Sequence, residues 1–377
     1  MPTRSNDSTG SATAAARPDI GRHFAPRYAQ ARAQFLQAAQ AAQLAITSHP
    51  HPLPGQDGEP LAMDVARSGQ ADAAAVLLIS SACHGVEGFC GSGVQHALLQ
   101  DAAFLAEAQA RGVAVVFIHA LNPHGFSWWR RTTHENVDLN RNFHDFAQPL
   151  PVNAAYDELA ALIVPEAWPP SAAQQAAVDA VIAQRGQKAW QAAVSGGQHR
   201  HPDGLFYGGL GPTWSQTTLR SVLRQHGQRC ARLGWIDLHT GLGPSGLGEP
   251  IFACRNDAAA LARAKAWWGE GITSIYDGSS TSAPLTGLMW LSAYQECPQA
   301  EYTGIALEYG TLPIDQMLDA LRADQWLANH PETGAPQRAA IKQQIRDAFY
   351  VDTPQWQQQI VDQGVQRAWQ AVRGLGG

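Results

Sequence analysis

The chain has no apolar run of about eighteen residues, so none of its 377 residues reads as part of a bilayer-spanning helix. It also lacks any long basic block. Its 26 Lys and Arg stand against 32 Asp and Glu, a net charge of −6 that argues against nucleic acid or an anionic membrane surface as a partner. Cysteine is sparse: Cys83, Cys90, Cys230, Cys254 and Cys297 are odd in number, scattered and free of C-x-x-C spacing. That pattern speaks against a disulfide scaffold or a thiolate zinc knuckle and fits a reducing compartment. The opening MPTRSNDSTGSATAAARPD has no apolar h-region and is not read as a secretory signal; it predicts a disordered tail over residues 1–20 and a cytoplasmic protein. There is no internal repeat.

What is present is the make-up of an enzyme-sized domain: 45% hydrophobic residues, 15% charged, 35 Gly and 23 Pro. Tyr28 to Leu44 has helical spacing, and the short pieces 44–47 and 61–65 read as strands separated by a Pro- and Gly-rich turn over 49–60. Residues 75–79 form a continuous apolar β run, 94–110 a helix, and 113–118 a second apolar strand. Strand, helix and strand with short connections predict a right-handed crossover and parallel pairing buried on both faces. Further strands are expected at 234–239, 250–254 and 302–308, helices at 258–268 and 285–294, and a helical C-terminal third from Pro313 to Val372. The expected fold is α/β: a three-layer α/β/α domain over residues 21–377 with a mixed, largely parallel twisted sheet. A helical and loop excursion at 151–232 would frame a pocket.

Ligand sites in such sheets lie at the carboxyl ends of strands. His84 and Glu87, in His84-Gly85-Val86-Glu87-Gly88, follow the 75–79 run directly and can address one ion if the chain turns there. Alone, His-x-x-Glu is short enough to recur by chance. Its weight comes from what arrives later: the Asn140-Arg141 stretch, His239 at the end of one strand, and Glu308 at the end of another. Two histidines, one glutamate and an open position make up one standard catalytic zinc set. Zinc lowers the pKa of water to about 7, and a separate carboxylate such as Glu308 can move the proton from water to leaving group. Asp237, two residues before His239, shares its strand face and could orient the imidazole.

HGVEG, DLNRNF, DLHTG and a strand-borne EYG, in that order over residues 75–310, resemble the carboxypeptidase A clan of zinc hydrolases. The likeness is greatest to the branch containing aspartoacylase and succinylglutamate desuccinylase and to bacterial carboxypeptidase-like proteins. The resemblance implies one Zn²⁺ per chain on His84, Glu87 and His239, with Glu308 as general base. It implies that Asn140 and Arg141 grip a substrate carboxylate, a task suited to a planar guanidinium. It also implies an arginine that polarises the scissile carbonyl; Arg131 is the choice here and Arg130 the alternative. For the clan's substrate-facing tyrosine, Tyr276 and Tyr294 are the candidates. The activity implied is hydrolysis of an amide bond beside a free carboxylate on a small-molecule or peptide substrate. The alternatives are deacylation of an N-acyl amino acid and, remotely, a binding protein that kept the fold. Neither the substrate nor the oligomeric state is written in these motifs.

Two other chemistries fit less well. Gly241 to Gly246 matches G-x-G-x-x-G, but strand-like residues follow where a dinucleotide-binding helix should open. A thiol hydrolase on Cys83 or Cys90 would need His84 as its base, yet adjacent residues on an extended chain point to opposite faces, which places Cys83 poorly.

Overall fold

A computed structural model describes residues 19–377; the expected tail over 1–20 lies almost wholly outside them. Seven strands form one sheet in the order β1-β2-β4-β3-β5-β7-β6. They are β1 (Ala45–Pro54), β2 (Pro60–Arg67), β3 (Ala75–Ser80), β4 (Val113–His119), β5 (Arg232–Ser245), β6 (Gly248–Phe252) and β7 (Glu301–Gly310). The central strands β4, β3, β5 and β7 run parallel, whereas β1, β2 and β6 join antiparallel at the two sides. The sheet is therefore mixed, as expected, with its parallel part confined to the middle. Every residue of β3 and β4 is buried, which explains why both read as unbroken apolar runs.

Consecutive strand residues face opposite sides, and β5 shows both covered. Leu233 packs towards Gly227 of the helix Trp214–Gly227, and Gly234 towards Leu375 of the C-terminal helix Pro354–Gly376. Helices on both faces complete the three-layer arrangement.

Two local expectations change. The turn predicted over 49–60 is shorter, because β1 continues through Pro50, Pro52 and Pro54. As the outermost strand it can lose outward N–H groups without breaking a ladder. The helix predicted over 285–294 begins only at Leu291. Gly287 adopts φ +69°, and a Cβ there would overlap the Arg141 carbonyl, so the chain crosses Arg141 in a conformation no helix contains. The Phe143 amide donates to the Gly287 carbonyl at 3.1 Å, fixing the crossing.

Candidate metal centre and cleft

After β3 the chain turns through a short 3-10 segment, Gly85–Glu87, into the helix Gly88–Gln100. The turn is held from outside. The amides of Gly85 and Val86 donate to the Arg131 and Arg130 carbonyls at 3.1 and 2.9 Å, and a Cβ on Gly85 would run into the Gly125 backbone. This packing sets His84 and Glu87 at the carboxyl edge of the sheet. On the neighbouring parallel strands, Asp237 pairs in register with Ser80 and His239 with Glu308.

The side chains converge. His84 Nδ1 lies 2.8 Å from one Glu87 oxygen and His239 Nδ1 lies 3.0 Å from the other. One ligand atom from each of the three residues falls within 4.8 Å of the other two, and all three residues are buried. The far sides of both rings are also occupied. His84 Nε2 is 3.2 Å from Asp138 Oδ1, and His239 Nε2 is 2.5 Å from Asp237 Oδ2. Each ring therefore turns Nδ1 inward and meets a carboxylate with Nε2, the arrangement by which metal-binding histidines are usually oriented. Asp237 also accepts from the Ser80 hydroxyl at 2.5 Å.

Burial alone would push the Glu87 carboxyl up, but the two imidazoles hold it well below the usual carboxylate range. Asp138 is likewise held low against its burial, chiefly by Arg131 and Arg141. Glu308 goes the other way: burial and then the Glu87 charge raise it to about 7, although the Leu242 amide donates to it at 2.9 Å. Glu87, Asp138, Asp237 and Glu308 thus meet two guanidinium groups in one buried space. Excess negative charge around two neutral-capable nitrogens and a carboxylate is a donor set that suits a divalent cation.

Of the two candidate arginines, Arg131 lines the cleft. It donates to Asp138 at 2.9 Å and to Glu87 at 3.3 Å, and Nη2 lies 2.8 Å from His84 Nε2. Arg130 points away, to Asp324, Asn136 and Gln325. Arg141 and Asn140 line the same cleft. Arg141 donates to the Ser195 carbonyl at 2.7 and 3.1 Å and to the Asn140 carbonyl at 2.9 Å; burial lowers it to about 10. Asn140 Oδ1 accepts from the Met289 amide at 2.9 Å. Both arginines stack on the buried Phe206 ring, with guanidinium carbons 4.9 and 5.5 Å from its centroid. Ser195 and Phe206 belong to the 151–232 excursion, which contributes to the cleft wall.

Tyr276 and Tyr294 do not line the cleft: the Tyr276 hydroxyl donates to the Cys254 carbonyl and the Tyr294 hydroxyl accepts from the Arg255 amide. The tyrosine that does line it is Tyr302. Cys83 and Cys90 are buried and burial raises both thiols, the opposite of what a nucleophile needs. Gly241 to Ser245 lie within β5, which runs on into β6 without a helix. Asp138 was not singled out from the sequence. Its only signal was an acid two residues before Asn140, and its partners come from Arg131, Arg141 and the β3 turn.

The fold and this cleft define an α/β protein with a histidine–glutamate–histidine centre at the carboxyl edge of its sheet. The chain belongs to the family described as protein of unknown function DUF2817, whose model matches residues 24–363. No curated protein matches the chain. Among solved structures it is similar to a protein from Shewanella denitrificans OS-217 provisionally named a carboxypeptidase A. That match has 13% identity over 76% of this chain and 61% of that one, with a TM-score of 0.41. It is also similar to a metallo-carboxypeptidase from Pseudomonas aeruginosa, solved with (2-guanidinoethylmercapto)succinic acid, at 13% identity over 89% and 71% with a TM-score of 0.40. A third is the murein-tripeptide amidase MpaA from Escherichia coli O157, at 13% identity over 75% and 92% with a TM-score of 0.35. The chain spans less than two thirds of the first of these proteins. No helix among the described residues is long and apolar enough to cross a membrane.

Proposed function

We propose that the chain is a zinc-dependent hydrolase that cleaves an amide bond next to a free carboxylate, with a C-terminal peptide bond as the substrate class. The convergence of both histidine Nδ1 atoms on the two Glu87 oxygens, with each Nε2 held by a carboxylate, supports this most directly. His84, Glu87 and His239 would hold one Zn²⁺. Such an ion supplies Lewis-acid chemistry and makes a water nucleophile available near neutral pH.

The rest falls to the chain's own groups. Glu308, raised to about 7, takes a proton from water as it adds to the carbonyl carbon and returns it to the amine as the C–N bond breaks. Arg131 faces the developing oxyanion. Arg141 and Asn140 hold the free carboxylate. Both guanidinium groups rest against the Phe206 ring. A groove of about 1030 Å³ adjoins the cleft and shares Gly241, Leu242, Ile275 and Ile314 with it. It gives room for chain beyond the scissile bond, which favours a peptide over a small N-acyl amino acid.

The test is zinc quantification followed by hydrolysis assays on N-acetyl dipeptides and N-acetyl amino acids. Near-stoichiometric zinc, peptide cleavage lost to a chelator and restored by Zn²⁺, and indifference to thiol alkylation are expected. Cleavage that survives metal removal would refute the proposal.

A further inference from the structure

One face of β5 carries Trp235, Asp237 and His239 at every second residue, and all three are buried. Ser80, the last residue of β3, pairs in register with Asp237. Its hydroxyl ties the face together. Nε1 of the Trp235 indole lies 2.7 Å from Ser80 Oγ, and Ser80 Oγ lies 2.5 Å from Asp237 Oδ1. Asp237 Oδ2 in turn lies 2.5 Å from His239 Nε2, and His239 Nδ1 lies 3.0 Å from Glu87. Trp235, Ser80, Asp237, His239 and Glu87 form one unbroken chain of polar contacts.

The chain runs in one direction. An indole N–H can only donate, so the Ser80 oxygen accepts from it and the single hydroxyl proton is left for Asp237. With Oδ1 held by that hydroxyl, Oδ2 meets the imidazole. His239 then donates from Nε2, which leaves Nδ1 as its ligand atom, turned towards Glu87. The two orienting acids are anchored differently. Asp138, which holds His84, is itself held by Arg131 at 2.9 Å. Asp237 pairs with no Lys or Arg among the described residues, so the buried, neutral Ser80 hydroxyl is the anchor that its second oxygen has.

We infer that Ser80 and Trp235 are positioning residues for the metal centre, acting through Asp237 to hold His239 with Nδ1 presented as a metal ligand. The inference rests on the metal-binding part of the hydrolase proposed above. Neither residue is a ligand. The hydroxyl anchors the acid, and the indole fixes the direction in which the hydroxyl donates.

The experiment measures zinc affinity, by competition with a chromophoric chelator, for the unaltered protein, Ser80→Ala, Ser80→Thr, Trp235→Phe and the double variant Ser80→Ala/Trp235→Phe. The Nε2 proton of His239 is followed by NMR in the same proteins, and urea unfolding of the metal-free forms reads stability alone. Ser80→Ala lowers zinc affinity about tenfold, the lower end of what losing a group behind a metal-bound histidine costs, and moves the His239 Nε2 resonance. Ser80→Thr, which keeps the hydroxyl, restores both. Trp235→Phe lowers zinc affinity less, and the double variant binds no more weakly than Ser80→Ala, because the indole acts through the hydroxyl. Losses that add in the double variant, or no recovery in Ser80→Thr, overturn the assignment. So does a loss of stability in Ser80→Ala with zinc affinity unchanged, which marks both residues as core alone. Where Ser80→Ala does not fold, Trp235→Phe decides, and unchanged zinc affinity with an unmoved Nε2 resonance overturns the assignment. Where the unaltered protein binds no zinc the hydrolase proposal fails, and the Nε2 resonance alone decides the role of Ser80 and Trp235; a resonance unmoved in both variants then overturns it.

Discussion

The Asp138 carboxylate lies 3.2 Å from Nε2 of His84, 54 residues away in sequence, and turns the other ring nitrogen towards Glu87. Asp237 does the same for His239 from two residues away on one strand. Each imidazole is thus oriented by an acid of its own, one supplied locally and one across the cleft.

Asp138→Asn keeps the shape of this contact and removes its charge. Zinc affinity, measured by competition with a chromophoric chelator, is expected to fall about 10- to 100-fold, the usual effect of losing such a partner. Asp138 also pairs with Arg131 and lies near Arg141, so KM for carboxylate substrates should rise in the same variant. Unchanged zinc affinity would remove Asp138 from the centre.

Glu308→Gln leaves the size of the side chain intact and takes away its ability to carry a proton. Turnover should drop by about 10²- to 10⁴-fold, while bound zinc stays near that of the unaltered protein. Loss of metal along with activity would instead mark Glu308 as a ligand.

Arg141→Ala tests the carboxylate anchor. A charge-assisted contact of about 1.5–3 kcal/mol is lost, so KM should rise about 10- to 100-fold for peptides with a free C-terminus, with no comparable change for C-terminal amides. Arg141→Lys should recover little, because the fork made to the Ser195 and Asn140 carbonyls needs a planar guanidinium.

His119 gives a pH prediction away from the centre. It is fully buried, its ring stacks on Phe35 at 4.7 Å, and burial lowers it from 6.5 to about 4. The native state therefore holds it neutral, while the unfolded chain takes up a proton below pH 6.5. Stability is complete above that pH and declines as pH falls towards 4. The cost from this residue between pH 7.5 and 5 is about 2 kcal/mol. Urea unfolding at the two pH values should show the loss, and His119→Gln should lose less over the same interval.

Much of the sheet could be read from the sequence because its central strands are buried on both faces, so 75–79 and 113–118 stand out as apolar runs and 234–239 as a strand ending in a histidine. His84, Glu87, His239 and Glu308 were legible for the same reason, since a polar group closing such a run is conspicuous. What the sequence hid depends on contacts made at a distance. Nothing local tells Arg130 from Arg131; the fold turns one to Asp324 and the other into the cleft. Residues 285–290 carry helical spacing, but the crossing over Arg141 at Gly287 overrides it.

The register of β3, β5 and β7 carries one more consequence. His84 and Glu87 sit together in a single turn, but His239 joins them only when β3 and β5 pair, and Glu308 only when β7 docks beside β5. A half-assembled sheet offers two donors and no base. Since an ion that binds the finished set adds its affinity to folding, tight zinc uptake would report that segments more than 150 residues apart have found each other.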